Sequence, residues 1–139
     1  MLKTDLIHPQ LLRALAGAGH GATLLLADGH YPAGTAVGPN ADTVHLNLTP
    51  GVVDVPTVLD LLVPLVPLEL ATVMVPPPGE PEPEALAQYR ERLPDVEMAT
   101  LDRFAFYDAA KSTDLALVVV TADVRKYANL LLTVGVRAV

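Results

Sequence analysis

Short apolar runs alternate with amphipathic stretches along the whole chain, and this alternation constrains the fold more than any other feature of the sequence. Short apolar runs bounded by turn-forming residues are typical of strands buried inside a sheet. Residues 115–121 form the strongest of these runs. The pattern predicts six strands, at residues 23–27, 43–48, 70–75, 96–100, 115–121 and 129–134.

Four stretches between or before these runs have helical patterns. Pro9 stands at an early helix position ahead of residues 10–18, where leucines recur at helical spacing. The other predicted helices cover residues 55–66, residues 82–93, and a segment that Asp102 caps and that ends near residue 111. Because helices and strands alternate, we expect an α/β fold, with one sheet and helices on both of its faces.

The chain length favours a single domain. Its 139 residues are enough for one substantial core. The proline-rich segment 76–81 is expected to be a stiff loop rather than a linker, because too little chain follows it to build a second core. We therefore expect one domain over residues 1–139.

Composition excludes several classes of function. The net charge is −7 without a cluster of Lys or Arg, which disfavours nucleic-acid binding. The absence of cysteine excludes disulfides, thiolate nucleophiles and Cys-based metal sites. The most apolar stretch, residues 61–68, is too short to span a membrane and is interrupted by Pro64 and Pro67. No signal peptide is evident at Met1, so we expect a cytoplasmic protein.

The apolar content also bears on assembly. Hydrophobic residues make up 51% of the chain but aromatic residues only 4%, so Leu, Val and Ala must fill the core. Such a high apolar content in a small domain indicates that part of the surface is buried against other subunits. We therefore expect a homo-oligomer.

The glycine-rich segment Gly17-Ala18-Gly19-His20-Gly21 is the first candidate site. In a dinucleotide-binding fold such glycines follow a strand and open a helix, whereas here they follow a helix and precede a strand. A nucleotide-phosphate loop is therefore not expected. Gly19 and Gly21 instead free the backbone around His20 for close approach by a ligand. The alternative is a helix C-cap followed by a surface histidine.

Asp28 and His30 follow the first predicted strand directly. Ligand sites of α/β proteins gather at the carboxyl ends of strands, so this position suits a binding residue. The alternatives are a turn-initiating aspartate for Asp28 and a loop surface position for His30. His20, Asp28, His30 and His45 lack the spacing of a metal site, and no bound metal is expected.

The segment Arg103-Phe104-Ala105-Phe106-Tyr107 carries both phenylalanines and one of the four tyrosines. On a helix, positions i and i+2 diverge by about 200°, so Phe104 and Phe106 cannot share one core-facing stripe. One face is therefore available for a pocket or a subunit contact. For Phe104 itself we expect a core position, with Arg103 reaching out to solvent.

Tyr127 and Asn129 lie just before the last predicted strand. Tyr offers a flat face and a hydroxyl, and Asn offers a donor together with an acceptor. This combination suits sugars, which present apolar C–H faces and many hydroxyls. The alternative is a turn with a surface tyrosine.

Four segments, together with their order along the chain, resemble the L-fucose mutarotase/D-ribose pyranase family. They are Gly19-His20-Gly21, Asp28-x-His30-x-Pro32, the segment 103–107, and Tyr127-x-Asn129 ahead of Gly135-Val136. The opening residues 1–4 are similar to the fucose branch, which the chain resembles more closely, and the resemblance extends over the whole chain. It implies an α/β fold that assembles into ring-shaped homo-oligomers, often decamers, with active sites between neighbouring subunits.

The resemblance also implies roles for individual residues. His20 corresponds to the proton donor of the family. The implied sugar-binding residues are Asp28, Arg103, Tyr127, Ala128 (through its backbone) and Asn129. Of these, Tyr127 and Asn129 are expected to enter the site from a neighbouring chain.

The implied function is that of an isomerase, a mutarotase that interconverts the anomers, and the pyranose and furanose forms, of a free monosaccharide such as L-fucose. Ring opening needs a proton on the ring oxygen and the loss of one from the anomeric hydroxyl, without a cofactor or metal. Histidine suits the first transfer because it titrates near neutral pH. Asp28, Tyr127 and a water molecule are the candidates for the second.

The sugar itself stays open. Tyr127-Ala128-Asn129 is closer to the ribose branch, the segment 103–107 belongs to the fucose branch, and Ala22 stands where the fucose branch commonly has an acidic residue. Segment 33–51 follows neither. L-fucose, D-ribose and other sugars are all candidates. The alternative functions are a non-catalytic monosaccharide-binding protein and a purely structural oligomer.

Overall fold

The structure, a computed structural model, describes residues 1–139. Four helices and six strands alternate along the chain. The helices are α1 (Pro9–Gly17), α2 (Val55–Leu62), α3 (Glu84–Arg92) and α4 (Arg103–Ala110). The strands are β1 (Thr23–Ala27), β2 (Asp42–His45), β3 (Leu68–Met74), β4 (Glu97–Leu101), β5 (Leu115–Val120) and β6 (Leu130–Val134).

All six strands belong to one mixed sheet with the order β2-β5-β1-β6-β3-β4. Strand β6 is antiparallel to both of its neighbours, β1 and β3, whereas the other pairs are parallel. The first five strands therefore end at one edge of the sheet, the carboxyl edge, and β6 begins there. The opposite edge, where β1–β5 begin and β6 ends, is the amino edge.

The sheet is buried on both faces, as its strand sequences predict. Along β1, Leu24 and Leu26 point into a core that α1, α2 and α3 cover. Leu25 points to the opposite face, where α4 contributes Phe106 and Ala110. This alternation follows from the two-residue period of a strand. It confirms the expected single-domain α/β fold with helices on both faces.

The predicted elements are all present, and most bounds lie within two residues of the prediction. Helix α2 is shorter than expected and ends at Leu62, two residues before Pro64, which has no N–H to continue the helical ladder. Asp102 caps α4 as predicted, its Oδ1 accepting the Ala105 N–H at 2.9 Å. None of the helices is both long enough and apolar enough to cross a membrane.

Candidate functional site

A pocket of about 230 Å³ opens at the carboxyl edge of the sheet. It lies where ligand sites of α/β folds are expected, because strand ends and their following loops meet there. Four of the residues predicted for the site line it together, namely Asp28, Arg103, Tyr127 and Asn129. The remaining lining residues are His30, Tyr31, Met74, Lys126 and Tyr107.

Asp28 lies at the floor of this pocket, one residue beyond β1. Its side chain is buried, and its two carboxylate oxygens accept the backbone N–H groups of His30 at 2.9 Å and Ala128 at 3.2 Å. Burial raises the pKa of Asp28 above its ordinary value, while these two hydrogen bonds partly oppose the shift. The carboxyl group is thus held in one orientation and is a stronger base than an exposed aspartate.

The segment 127–129 is fixed against Asp28 by its backbone and by Asn129. Tyr127 has a φ of 60°, a left-handed conformation that a non-glycine residue adopts only when its surroundings enforce it. The Asp28 N–H donates to Asn129 Oδ1 at 2.8 Å. The amide nitrogen of Asn129 donates one hydrogen to Met74 Sδ at 3.9 Å, and its second N–H is free to donate to a ligand hydroxyl.

A second set of polar contacts supports this segment from below. The buried Tyr89 hydroxyl, from α3, donates to the Ala128 carbonyl. Asp123 forms an ion pair with Arg125 at 2.7 Å and also accepts the Val55 N–H at 3.2 Å. Burial acts to raise the pKa of Asp123, but the hydrogen bonds from Arg125 outweigh it and the pKa is lowered. The loop between β5 and β6 is therefore anchored at both ends.

Arg103 forms one wall of the pocket at the start of α4. Its Nε donates to Tyr107 Oη at 3.0 Å, and its guanidinium lies over the Phe104 ring, 5.2 Å from the centroid. Phe106 is buried, but Phe104 is 69% exposed. The expected core position of Phe104 is therefore wrong, since the two rings point to opposite sides of the helix and α4 has only one face against the sheet.

Three lining residues had no predicted role. Met74 is the last residue of β3, and its place at a strand's carboxyl end is a signal that could have identified it. Tyr31 follows Asp28 in the same loop, packs edge-on against Tyr107 at 5.3 Å between ring centroids, and donates to the Ala36 carbonyl at 2.6 Å. Lys126 precedes Tyr127 and is exposed at the mouth.

His20 lies apart from this pocket, at the amino edge. Its loop is held there by the Gly21 N–H, which donates to the Val134 carbonyl at 2.9 Å. The five residues of β1 separate the two edges, by roughly 16 Å at the usual rise of a strand. Tyr127 and Asn129 line the pocket together with Asp28 of their own chain, because the antiparallel β6 starts beside Asp28. They would therefore come from a neighbouring chain only relative to His20. His20 is the residue that the fold leaves separate.

The chemistry of the pocket is that of a binding site for a small hydroxylated molecule. It offers a carboxylate acceptor, a guanidinium donor, an amide donor and the faces of three tyrosines. No three His, Asp or Glu side chains come together in a way that could hold a metal ion.

Comparison with known proteins decides the family. The sequence model of the RbsD / FucU transport protein family matches residues 1–137. The chain belongs to this family. The resemblance found in the sequence motifs is thereby confirmed, and the RbsD / FucU match leaves only the last two residues outside it.

Solved structures of RbsD / FucU proteins have the same fold. The fucose mutarotase from Streptococcus pneumoniae, in complex with L-fucose, is 28% identical with a TM-score of 0.84, over 99% of this chain and all of that one. FucU from Bifidobacterium longum is 31% identical with a TM-score of 0.81, over 95% and 97% of the two chains. RbsD from Bacillus subtilis, in complex with D-ribose, is 22% identical with a TM-score of 0.85, over 99% and 100%.

Proposed function

We propose that this protein is a mutarotase that interconverts the anomers of a free monosaccharide by acid–base ring opening. The observation that carries the proposal is the pocket in which Asp28, Arg103, Tyr127 and Asn129 converge around the backbone of Ala128. A relative with 28% identity over the full length is a fucose mutarotase, so L-fucose is the first sugar to test.

Each pocket residue has a distinct part in holding the sugar. Asp28 and Arg103 form charge-assisted hydrogen bonds to hydroxyl groups. The free amide N–H of Asn129 donates to a third hydroxyl, and the Tyr127 ring covers an apolar C–H face of the sugar. A volume of about 230 Å³ is suitable for a single monosaccharide.

The proton donor comes from a second copy of the chain in this proposal. His20 is exposed at the amino edge, while the pocket opens at the carboxyl edge, so stacking one edge on the other brings them together. Both edges carry exposed apolar side chains, with Leu48 and Val124 near the carboxyl edge and Leu65 and Val136 near the amino edge. Head-to-tail contacts give a closed ring when the rotation between copies completes a full turn, and we propose a ring-shaped homo-oligomer such as a decamer.

The reaction then needs two proton transfers. His20 of the neighbouring copy donates a proton to the ring oxygen as the bond from the anomeric carbon to that oxygen breaks. Of the candidate bases, Asp28 is the best suited to remove the anomeric proton, because its raised pKa makes it the stronger base. The open-chain aldehyde rotates about its terminal C–C bond, and the reverse transfers close the ring on the other face.

The alternative is a monosaccharide-binding protein without turnover. It is favoured by one observation, that His20, the proposed donor, does not line the pocket of its own chain, in which the only histidine is His30. Without the stacked second copy, the pocket would bind sugar and leave its anomers unchanged.

Saturation-transfer NMR on L-fucose, D-ribose and other aldoses distinguishes these functions. We expect transfer between the two anomeric proton signals to rise in proportion to protein concentration for at least one sugar. Sugar binding without accelerated anomer exchange would establish the non-catalytic alternative. If no sugar binds, the purely structural oligomer is the alternative that remains. Light scattering of the same samples tests the assembly, and a monomer at micromolar concentration would contradict the shared site.

A further inference from the structure

We propose that Phe104 is a positioning residue for Arg103, and that its exposed ring holds the guanidinium, together with the ring of Tyr107, at the wall of the sugar pocket. The inference rests on the proposed function, in which Arg103 binds sugar hydroxyls. Phe104 does not line the pocket itself. Its ring is 69% exposed, although a phenylalanine normally lies in the core, as Phe106 of the same helix does.

The rings of Phe104 and Tyr107 form an aromatic clamp around Arg103. The Cζ atom of Arg103 lies 5.2 Å from the centroid of the Phe104 ring and 5.5 Å from that of the Tyr107 ring. Both distances are within the range of a cation–π interaction. The two rings are almost perpendicular, at 87° with their centroids 6.2 Å apart. The guanidinium is therefore confined in two directions rather than one.

The two sides of the aromatic clamp differ in how firmly the fold holds them. Arg103 and Tyr107 are four residues apart on α4, a spacing at which helical side chains are neighbours, and the Arg103 Nε–H donates to Tyr107 Oη at 3.0 Å. Tyr107 packs edge-on against Tyr31, whose hydroxyl donates to the Ala36 carbonyl. Tyr107 is therefore the fixed side of the clamp, and Phe104 is the side that faces solvent.

Aromatic rings hold an arginine without using up its hydrogen-bond donors. Arg125 shows the opposite arrangement, since its Nε and Nη2 donate to Asp123 and its Nη1 donates to Gln88. Arg103 is in none of the ion pairs of the chain and donates from Nε alone. A ring face attracts the positive charge but leaves the N–H groups free. Both Nη groups of Arg103 are therefore available for sugar hydroxyls.

The rival explanation for the exposed ring is a contact between subunits, and two substitutions distinguish the explanations. A subunit contact needs apolar volume, which Phe104→Leu retains. A cation–π interaction needs a ring face, which Phe104→Leu removes and Phe104→Tyr retains. Phe104→Tyr is therefore the matched control, and because the side chain is exposed, neither substitution removes core packing.

The test is calorimetric titration of the full chain and its variants with the sugar that the parent binds. We expect Phe104→Leu to raise Kd about 2- to 10-fold, the cost of ordering one long side chain on binding, and Phe104→Tyr to keep the parent Kd. The value of kcat should stay unchanged, because Arg103 holds the sugar equally in the ground and transition states. In an Arg103→Ala background, Phe104→Leu should have no further effect on Kd, since it acts only through the guanidinium.

Three results would overturn the proposal. The first is a parent-like Kd for Phe104→Leu, and the second is an equal rise of Kd in Phe104→Leu and Phe104→Tyr. The third is the same rise with and without Arg103, which would mean that the ring contacts the sugar or a neighbouring copy directly.

A second measurement needs no sugar and separates this proposal from the function of the protein. ¹⁵N relaxation of the Arg103 Nε–H, assigned with an Arg103→Lys variant, reports how rigidly the guanidinium is held. We expect a higher order parameter in the parent and Phe104→Tyr than in Phe104→Leu. If no sugar binds to the parent, the proposed function is wrong. Equal order parameters in the parent and Phe104→Leu would instead refute the positioning role.

Discussion

Replacing Tyr89 with Phe tests whether the strained turn at Tyr127 is held by the hydrogen bond below it. Tyr89 is fully buried, and burial raises the pKa of its hydroxyl, which therefore keeps its proton and donates to the Ala128 carbonyl. Ala128 is itself buried, so Tyr89→Phe leaves its carbonyl without a partner and without access to water. A buried polar group left unsatisfied costs about 1–3 kcal/mol.

Two consequences are expected from this loss. The free energy of unfolding should fall by about 1–3 kcal/mol, and Tm by about 3–5 °C for each kcal/mol in a domain of this size. The left-handed Tyr127 is also released from one of its constraints, so the turn must be re-formed when sugar binds. If that step consumes about 1 kcal/mol, Kd for the sugar rises about fivefold.

The assays are urea unfolding at fixed protein concentration and calorimetric titration with the sugar that shows exchange. Val58→Ala is a suitable control, because it truncates a buried side chain of α2 that does not line the pocket. It should lower stability by about 1–3 kcal/mol and leave Kd unchanged. A Tyr89→Phe protein with the stability and the Kd of the parent would refute the proposed anchoring of the turn.

Three further predictions concern the proton donor, acid stability and metals. His20→Ala should slow anomer exchange by about 10²–10⁴-fold, and its Kd for the sugar should rise by a smaller factor than its exchange rate falls. Asn129→Ala should raise Kd as well as slow exchange. NMR measures the exchange rates, and calorimetry measures Kd. Because the folded-state pKa of Asp123 is lowered, its pair with Arg125 stabilises the fold above the unfolded value of 3.8 and is lost as pH falls through the folded value. The difference in unfolding free energy between the parent and Asp123→Asn should therefore shrink as pH falls from about 5 to 2, and an unchanged difference would refute the role of the pair. EDTA should leave exchange unaffected, since proton transfer by a histidine needs no Lewis acid; loss of activity that added metal restores would contradict the mechanism.

The sequence by itself determined the helices and strands of the fold and the position of Asp28 at the carboxyl edge of the sheet. Strand β1 spans Thr23–Ala27 as predicted, and Asp102 caps α4, because apolar periodicity and capping depend on residues close together in the chain. Asp28 could be assigned to a site because a residue that follows a buried strand of an α/β fold lies at the carboxyl edge. These predictions need no knowledge of which strands pair.

Only the tertiary structure decided how the site is divided. Ala128 and Asp28 are 100 residues apart in sequence, and they meet because β6 inserts antiparallel between β1 and β3. That insertion places Tyr127 and Asn129 in the pocket of their own chain, and it leaves His20 with Glu69 at the opposite edge. Strand order and direction result from long-range pairing, through which every buried strand satisfies its backbone hydrogen-bonding groups. The apolar pattern of a strand is the same whichever direction it runs, so the local sequence cannot predict either property.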